Sequence, residues 1–102
     1  MSGDRYLLDM NIVILLLSGN NVLTNLLEQR TLYISGLTIA EFHAKPGLEP
    51  KGEKVLDAFA ESVIVVHTHD FIVKKAGGIK RSNKMKLPDA VIAATALYLD
   101  LP

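Results

Sequence analysis

The sequence predicts an α/β fold in which a short parallel sheet is covered by helices on both faces. Three short segments have apolar cores of the kind found in strands buried on both sides, namely residues 5–9, 32–35 and 63–66. Segments whose apolar residues recur at helical spacing separate them, and such alternation is typical of parallel strands joined by helices. We therefore expect a three-layer α/β/α arrangement.

In the first half of the chain, the predicted helices begin at capping residues. The first helix begins at Asp9 or the residue after it, and an unbroken aliphatic run carries it to about Leu17. Asn20 and Asn21 are both plausible N-caps for a second helix. The segment Thr38–Glu41 matches a capping box, in which two side chains satisfy backbone amides reciprocally, and it predicts the start of a third helix.

In the second half, proline and glycine delimit the helices. Pro50 and Pro88 stand where the first helical turn tolerates proline, so they predict the starts of the fourth and sixth helices. The pair His69-Asp70 opens the fifth helix. Gly77 and Gly78 weaken that helix by up to about 2 kcal/mol relative to two alanines, so we expect a kink or an early end there.

The composition limits the class of protein. A chain of 102 residues is expected to form one domain, residues 1–102, with one core. The apolar fraction of 49% excludes disorder, and a formal net charge of zero gives no overall nucleic-acid signature. Without cysteine there is no disulfide and no thiolate site. No apolar run approaches the ~18 residues of a membrane span, so we expect a cytoplasmic protein that binds no membrane.

Three carboxylates recur at one kind of position. Asp9 ends the first strand, Glu41 lies in the first turn of the helix after the second strand, and Asp89 lies in the first turn of the sixth helix. Right-handed crossovers bring strand C-termini and the following helix N-termini to one edge of a sheet, so the three acids can converge. Carboxylates without histidine or cysteine form a hard oxygen site, which suits Mg²⁺ or Mn²⁺ and reactions on phosphates.

Each acid also has a purely structural interpretation. Asp9 would serve as an N-cap, Glu41 as the back-bonding half of a capping box, and Asp89 as an acid that complements the helix dipole. Each role contributes about 0.3–2 kcal/mol and needs no metal ion. Spacing alone leaves both interpretations open.

Three segments of the chain together carry a family resemblance. They are residues 7–14, residues 32–35 with 38–41, and, most specifically, Leu87-Pro88-Asp89 with the alanine-rich helix that follows to residue 96. In order and spacing they resemble a PIN domain, and above all the ribonuclease toxin of VapBC toxin–antitoxin pairs. The chain departs from the family at Met10, where a threonine is usual, so we expect weaker hydrogen-bond support for Asp9.

The resemblance implies a function and a set of site residues. A VapC-like toxin is a Mg²⁺- or Mn²⁺-dependent endoribonuclease that hydrolyses RNA phosphodiester bonds and is inhibited by a cognate VapB-like antitoxin. On this basis Asp9, Glu41 and Asp89 are the catalytic residues and the metal ligands, and Asn11 and Thr38 support them.

The resemblance also implies what this chain lacks. Family members continue after the Leu-Pro that matches Leu101-Pro102 into a strand that pairs beside the first strand, and into a further acid of the cluster. Without that strand we expect the first strand to be an unpaired edge, which favours pairing with another chain in a homodimer. The alternative to an active nuclease is a catalytically impaired, truncated PIN module that binds RNA or an antitoxin.

A run of basic residues precedes Asp89. Residues 74–86 contain six cations and no acid, a composition suited to RNA phosphates. The solvated face of a helix explains the same pattern equally well. The candidate RNA-binding residues are Lys80, Arg81, Lys84 and Lys86.

Two further patterns have less specific interpretations. His67, His69 and Asp70 alternate like zinc ligands but lack a fourth ligand, and His69 or Asp70 is better explained as a cap of the fifth helix. The position of Asp9 at the end of a strand would also suit a phosphoacceptor residue. Such a site needs a pair of acids just before that strand ends, and here Asp4 stands alone.

Overall fold

The computed structural model describes residues 4–101, and in this range three strands alternate with helices. The strands are β1 (Arg5–Leu8), β2 (Thr31–Ser35) and β3 (Ile64–Val66). The helices are α1 (Met10–Leu17), α2 (Asn21–Leu27), α3 (Gly36–His43), α4 (Pro50–Glu61), α5 (Asp70–Ser82) and α6 (Leu87–Tyr98). The predicted α/β class is confirmed.

The sheet is parallel throughout, with strand order β1-β2-β3. Leu8 lies opposite Ile34, and Ile34 lies opposite Val65, so β2 is central and Ile34 is fully buried. Because all three strands run in the same direction, their C-terminal ends and the helices that follow meet at one edge of the sheet. Among residues 4–101, β1 pairs only with β2, and its other edge is unpaired within that range.

Two apolar clusters cover opposite faces of the sheet. The larger cluster has Ile34 at its centre, with Val65 packed against it, and it also contains Leu8, Val13, Leu27, Phe42 and Leu56. The smaller cluster joins α5 to α6 through Ile72, Ala76, Ala90 and Ala94, with Val66 packed against it. Since neighbouring strand residues point to opposite faces, Val65 and Val66 place the clusters on different sides. Helices α1–α4 thus form one layer, and α5 and α6 form the other.

Side chains cap the first three helices. Asp9 Oδ1 accepts a hydrogen bond from the Ile12 backbone N–H at 2.9 Å, and Asn20 Oδ1 accepts one from Leu23 at the same distance. These contacts confirm the predicted starts of α1 and α2. At α3 the cap is Ser35, whose Oγ accepts from the Leu37 N–H at 3.1 Å.

The start of α3 therefore differs from the prediction. The capping box at Thr38–Glu41 is wrong, because the N-cap is Ser35, three residues before Thr38, and the helix begins at Gly36. Thr38 is instead an interior helical residue with 1% of its surface exposed. Glu41 lies in the second turn of α3 rather than the first.

Helix α5 also differs from the prediction. It continues from Asp70 to Ser82, so the early end expected at Gly77 and Gly78 is wrong. Ala76 is buried against α6 just before the glycines, and Ile79 packs into the same cluster just after them. Packing on both sides of the glycine pair outweighs its low helix propensity. His69 precedes α5 but makes no side-chain cap hydrogen bond.

Helices α1 and α2 expose aliphatic side chains on their outer surfaces. The exposed residues are Ile14, Leu15, Leu17, Val22 and Leu26, and Val22 is 80% exposed. In residues 4–101 no single helix is long and apolar enough to cross a membrane. Helices α1 and α2 meet these criteria of length and composition only when taken together, and the pair bends by 113°. Large contiguous apolar patches on folded proteins often mark binding sites, whereas single exposed apolar residues are normal.

We predict that Gly77→Ala stabilises the protein. A Cβ at this position would meet no atom within 4 Å, and alanine favours a helix interior by about 0.5–1 kcal/mol over glycine. Urea denaturation followed by circular dichroism measures the gain in free energy of unfolding. Gly19→Ala is the control: it is equally uncrowded, but its φ of +88° makes a side chain costly, so this variant should be less stable. A loss of stability in Gly77→Ala would show that α5 is strained there.

Candidate functional site

A cleft of about 230 Å³ opens where α1, α3 and α6 approach one another at the C-terminal edge of the sheet. We call it the acid cleft. All three predicted acids line it, although they are far apart in the sequence. Its lining residues are Asp9, Met10, Asn11, Thr38, Glu41, Pro88, Asp89 and Ile92.

Asp9 is held in place by the helix that it caps. It follows the last residue of β1 in an extended conformation, and the hydrogen bond to Ile12 fixes one carboxylate oxygen over the first turn of α1. The structural interpretation of Asp9, as the N-cap of α1, is therefore confirmed. An ionised carboxylate offers about four acceptor positions, so one capping bond leaves capacity for a ligand. The two interpretations of Asp9 are compatible.

Thr38 and Glu41 reach the cleft from one face of α3. They are three residues apart, which places their side chains next to each other along a helix. Thr38 is buried and Glu41 is half-buried, so the carboxylate of Glu41 is more shielded from water than that of Asp9, which is exposed. Burial of Phe42 against the main core fixes the rotation of α3 and hence the direction of this face.

Asp89 is positioned by the packing of α6. Pro88 stands in the first turn of the helix, and Asp89 follows it, near the positive end of the helix dipole. The next residue, Ala90, is fully buried against α5. Because Ala90 points into that contact, its neighbour Asp89 is left exposed on the side of the acid cleft.

Met10 and Asn11 complete the floor of the cleft at the start of α1. Asn11 is exposed and brings a carboxamide to the lining, and its supporting role stays a prediction. Met10 is partly buried and packs against the main core as well as lining the cleft. Its thioether offers only a weak acceptor, so polar support for Asp9 comes from its capping bond rather than from residue 10.

The acid cleft gathers negative charge without a cation in its lining. No lysine, arginine or histidine contributes to the lining, and the ion pairs that the described residues form lie elsewhere, between Arg30 and Asp4 and between His43 and Asp57. The donors are carboxylate, carboxamide and hydroxyl oxygens, which is the chemistry that Mg²⁺ and Mn²⁺ prefer. Even so, nowhere in residues 4–101 do three acidic or histidine side chains come close enough together to hold one ion.

Comparison with known proteins identifies the family. The sequence profile of the PIN domain matches residues 6–102. The chain belongs to the PIN-domain family. PIN domains are typically metal-dependent nucleases, and they generally use divalent metal ions.

A solved structure supports this assignment. A chain of a toxin–antitoxin complex from Klebsiella pneumoniae superposes on this PIN domain with a TM-score of 0.79 and 28% sequence identity. The match covers 93% of this chain and 80% of that chain. A comparison with functionally curated proteins gave no match.

A second surface of this PIN domain is basic. A groove of about 340 Å³ runs along the C-terminal half of α5, and we call it the basic groove. Of the four predicted RNA-binding residues Arg81 lines it, whereas the other three, Lys80, Lys84 and Lys86, lie outside its lining. The groove is lined by Lys74, Lys75, Gly78, Ile79, Arg81, Ser82 and Asn83.

A third surface of this PIN domain is apolar, and sequence reasoning missed it. We call it the apolar groove; it has a volume of about 520 Å³ and lies between the end of α1, the end of α3 and the start of α4. Helical periodicity places Val55 on the inner face of α4, yet 46% of its surface is exposed in the groove. The lining comprises Leu17, Phe42, Gly47, Leu48, Glu49, Lys51, Gly52, Val55 and Leu56.

We predict that Mn²⁺ or Mg²⁺ raises the melting temperature of this PIN domain. Binding at a hundredfold excess over the dissociation constant would add about 2.7 kcal/mol to the free energy of unfolding. Asp89→Asn should gain less from the ion than wild type, because one of the three carboxylates that line the cleft is gone. Without metal it should melt slightly lower than wild type, since Asp89 complements the dipole at the start of α6.

Differential scanning fluorimetry with and without the ion measures both effects. Glu61→Gln is the matched control, since Glu61 is exposed at the end of α4 and lies outside the cleft. Equal metal-induced shifts in wild type and Asp89→Asn would place the ion elsewhere.

Proposed function

We propose that this PIN domain is a Mg²⁺- or Mn²⁺-dependent endoribonuclease that hydrolyses RNA phosphodiester bonds. The acid cleft carries the proposal, since it collects Asp9, Glu41 and Asp89 with no compensating cation in its lining. A hard divalent ion would relieve the repulsion among these charges and would bring positive charge to a phosphate. Membership of a family whose members are typically metal-dependent nucleases supports the same function.

The roles of the residues follow from their positions. Asp9, Glu41 and Asp89 would hold the ion, which when bound supplies Lewis acidity both to the phosphate and to an attacking water. The capping bond of Asp9 keeps its carboxylate oriented before RNA arrives. Half-burial of Glu41 strengthens its attraction for a cation, because the local dielectric is lower than in water.

The polar supporting residues would act on the substrate and on the acids. The carboxamide of Asn11 carries two N–H donors and is exposed at the cleft, so it can donate to a phosphate oxygen. Thr38, buried on the same face of α3 as Glu41, restricts the space in which that carboxylate moves.

A second candidate function is supported by one observation. In residues 4–101 the acids line a common cleft, but no three of them lie close enough to hold a single ion together. Such a separation of the acids also fits a PIN module with impaired catalysis, which binds RNA or an antitoxin without cleaving RNA. RNA binding without cleavage at saturating Mn²⁺ would favour this second function.

We expect Asp9→Asn to lose RNA cleavage while the fold is kept. Asparagine caps a helix about as well as aspartate, so this variant removes the charge and leaves the capping bond in place. Removal of one charged ligand should lower the rate at least about a hundredfold, equivalent to roughly 2.7 kcal/mol. The measurement is cleavage of a labelled single-stranded RNA with Mn²⁺, with a melting curve for each variant.

Asp9→Ala provides the internal comparison for this experiment. It removes the cap as well as the charge, so it should lose the same activity and also about 1 kcal/mol of stability. Asp57→Asn, on the exposed side of α4, should cleave like wild type. Full activity in Asp9→Asn would refute the proposed role of Asp9.

We further propose a VapB-like antitoxin as the partner of this protein, bound in the apolar groove. The similar chain comes from a toxin–antitoxin complex, and the groove adjoins the exposed aliphatic residues of α1 and α2. An amphipathic helix that buries its apolar face in such a groove is a common mode of recognition. A homodimer through the edge of β1 stays a prediction.

We predict that Val55→Lys weakens binding to the antitoxin. The substitution places a charge in the apolar groove, and burial of an unpaired charge is costly. Val73→Lys is the matched control, because Val73 is an exposed valine on α5 that does not line the groove. Co-purification with the product of the adjacent reading frame measures the effect. Loss of the complex in Val73→Lys but not in Val55→Lys would move the interface to α5.

A further inference from the structure

We propose that the basic groove on α5 binds the phosphate backbone of single-stranded RNA and leads the strand to the acid cleft. This inference rests on the proposed ribonuclease function and extends it, since it assigns a second contact surface to the same substrate. The ligand chemistry is a flexible polyanion that is recognised without regard to its bases.

The groove is built from one face of α5. Lys74, Gly78 and Arg81 follow one another at spacings of four and three residues, so they lie in a row along the helix. Gly78 stands between the two cations, and a Cβ there would have only the Arg81 guanidinium as a neighbour, at 3.9 Å. The missing side chain keeps the space between the cations open. Lys75 and Ser82 complete the face.

The charges of the groove have no partners in the described part of the protein. Between Asp70 and Asp89 the chain contains no acid, and in residues 4–101 no carboxylate lies within 4 Å of Lys74, Lys75 or Arg81. The chain as a whole is neutral, so this surplus is local. Three unpaired cations on one face repel one another, and a row of phosphates would offset that repulsion.

The helix dipole explains only part of this pattern. Lys80 and Arg81 lie in the last turn of α5, where cations interact favourably with the negative end of a helix. Lys74 and Lys75 lie near the middle of the helix, where the dipole gives no such advantage. The dipole therefore does not account for Lys74 and Lys75, whereas contacts with a polyanion would.

The lining specifies the backbone rather than the bases. The groove has no aromatic side chain on which a base could stack, and its donors are ammonium, guanidinium, hydroxyl and carboxamide groups. The Asn83 carboxamide donates a hydrogen bond to the Ile79 carbonyl at 3.0 Å, which fixes the end of the groove. We therefore expect affinity to depend on salt concentration and little on sequence.

The groove lies near the acid cleft along the chain. Asn83 ends the groove and Asp89 lines the cleft, and even a fully extended connection between them would be no longer than about 20 Å. A single strand of a few nucleotides spans such a distance. The groove can therefore hold one part of a strand while another part lies in the acid cleft.

The test measures binding of fluorescent oligo-uridylate and oligo-adenylate to the full chain, without divalent ions so that no cleavage occurs. The groove variant is Lys75→Gln with Arg81→Gln. The control is Lys45→Gln with Lys54→Gln, which changes the net charge equally at two exposed lysines outside the groove. We expect the groove variant to lower the slope of log affinity against log salt by about 1.4, since each phosphate contact on a single strand contributes about 0.7.

Further arms of the experiment make each outcome decisive. Lys75→Arg with Arg81→Lys keeps both charges and should bind both oligonucleotides like wild type. An equal loss in the groove variant and the Lys45/Lys54 control would overturn the proposal, as would stronger competition by polyglutamate than by unlabelled RNA. If the groove variant loses binding but wild type never cleaves RNA with Mn²⁺, the ribonuclease function fails and the groove stands. If wild type cleaves RNA but the groove variant binds RNA as well as wild type does, the ribonuclease function stands and the groove proposal fails.

Discussion

Parallel pairing of β1 with β2 is the constraint on which the acid cleft depends. Because the two strands run in the same direction, Asp9 after β1 and helix α3 after β2 lie at the same edge of the sheet. The contact between α5 and α6 brings Asp89 to this edge from the opposite layer. An antiparallel or shifted pairing would separate the acids even if every local structure were kept.

Three different local structures hold the acids of the cleft. Three carboxylates line one cleft whose lining contains no cation. Asp9 is oriented by its capping hydrogen bond, Glu41 lies on a half-buried face of α3, and Asp89 is positioned by the packing of alanines in α6 against α5. In residues 4–101, however, no three acidic or histidine side chains lie close enough together to hold one ion. The fold thus collects the acids at one cleft without forming a closed metal cage there.

The sequence was informative at helix starts where the capping signals agreed. Asp9 caps α1, and Asn20, one of two adjacent asparagines that predict the start of α2, caps that helix. At α3 two signals competed, and Ser35 forms the cap because the helix begins directly after β2, so the Thr38–Glu41 pattern lies inside the helix. At Gly77 the propensity signal was correct for an isolated helix, but contacts across α5 and α6 outweighed it.

The site was predictable to the level of residues but not of distances. The positions of the acids follow from strand ends and helix starts, whereas the separation of their carboxyl groups depends on side-chain packing that no pattern encodes. The apolar groove was not predictable for a related reason. The periodicity of α4 identifies an apolar face, but it does not say that Leu56 would be covered by the core while Val55 would stay exposed.

Helix α3 belongs to two surfaces at once. Glu41 lines the acid cleft, and its neighbour Phe42 lines the apolar groove, within a helix of eight residues. Helix α1 repeats this arrangement, with Asn11 at the cleft and Leu17 at the groove. A partner that binds in the apolar groove would therefore contact the same two short helices that present Glu41 and Asn11 to the acid cleft.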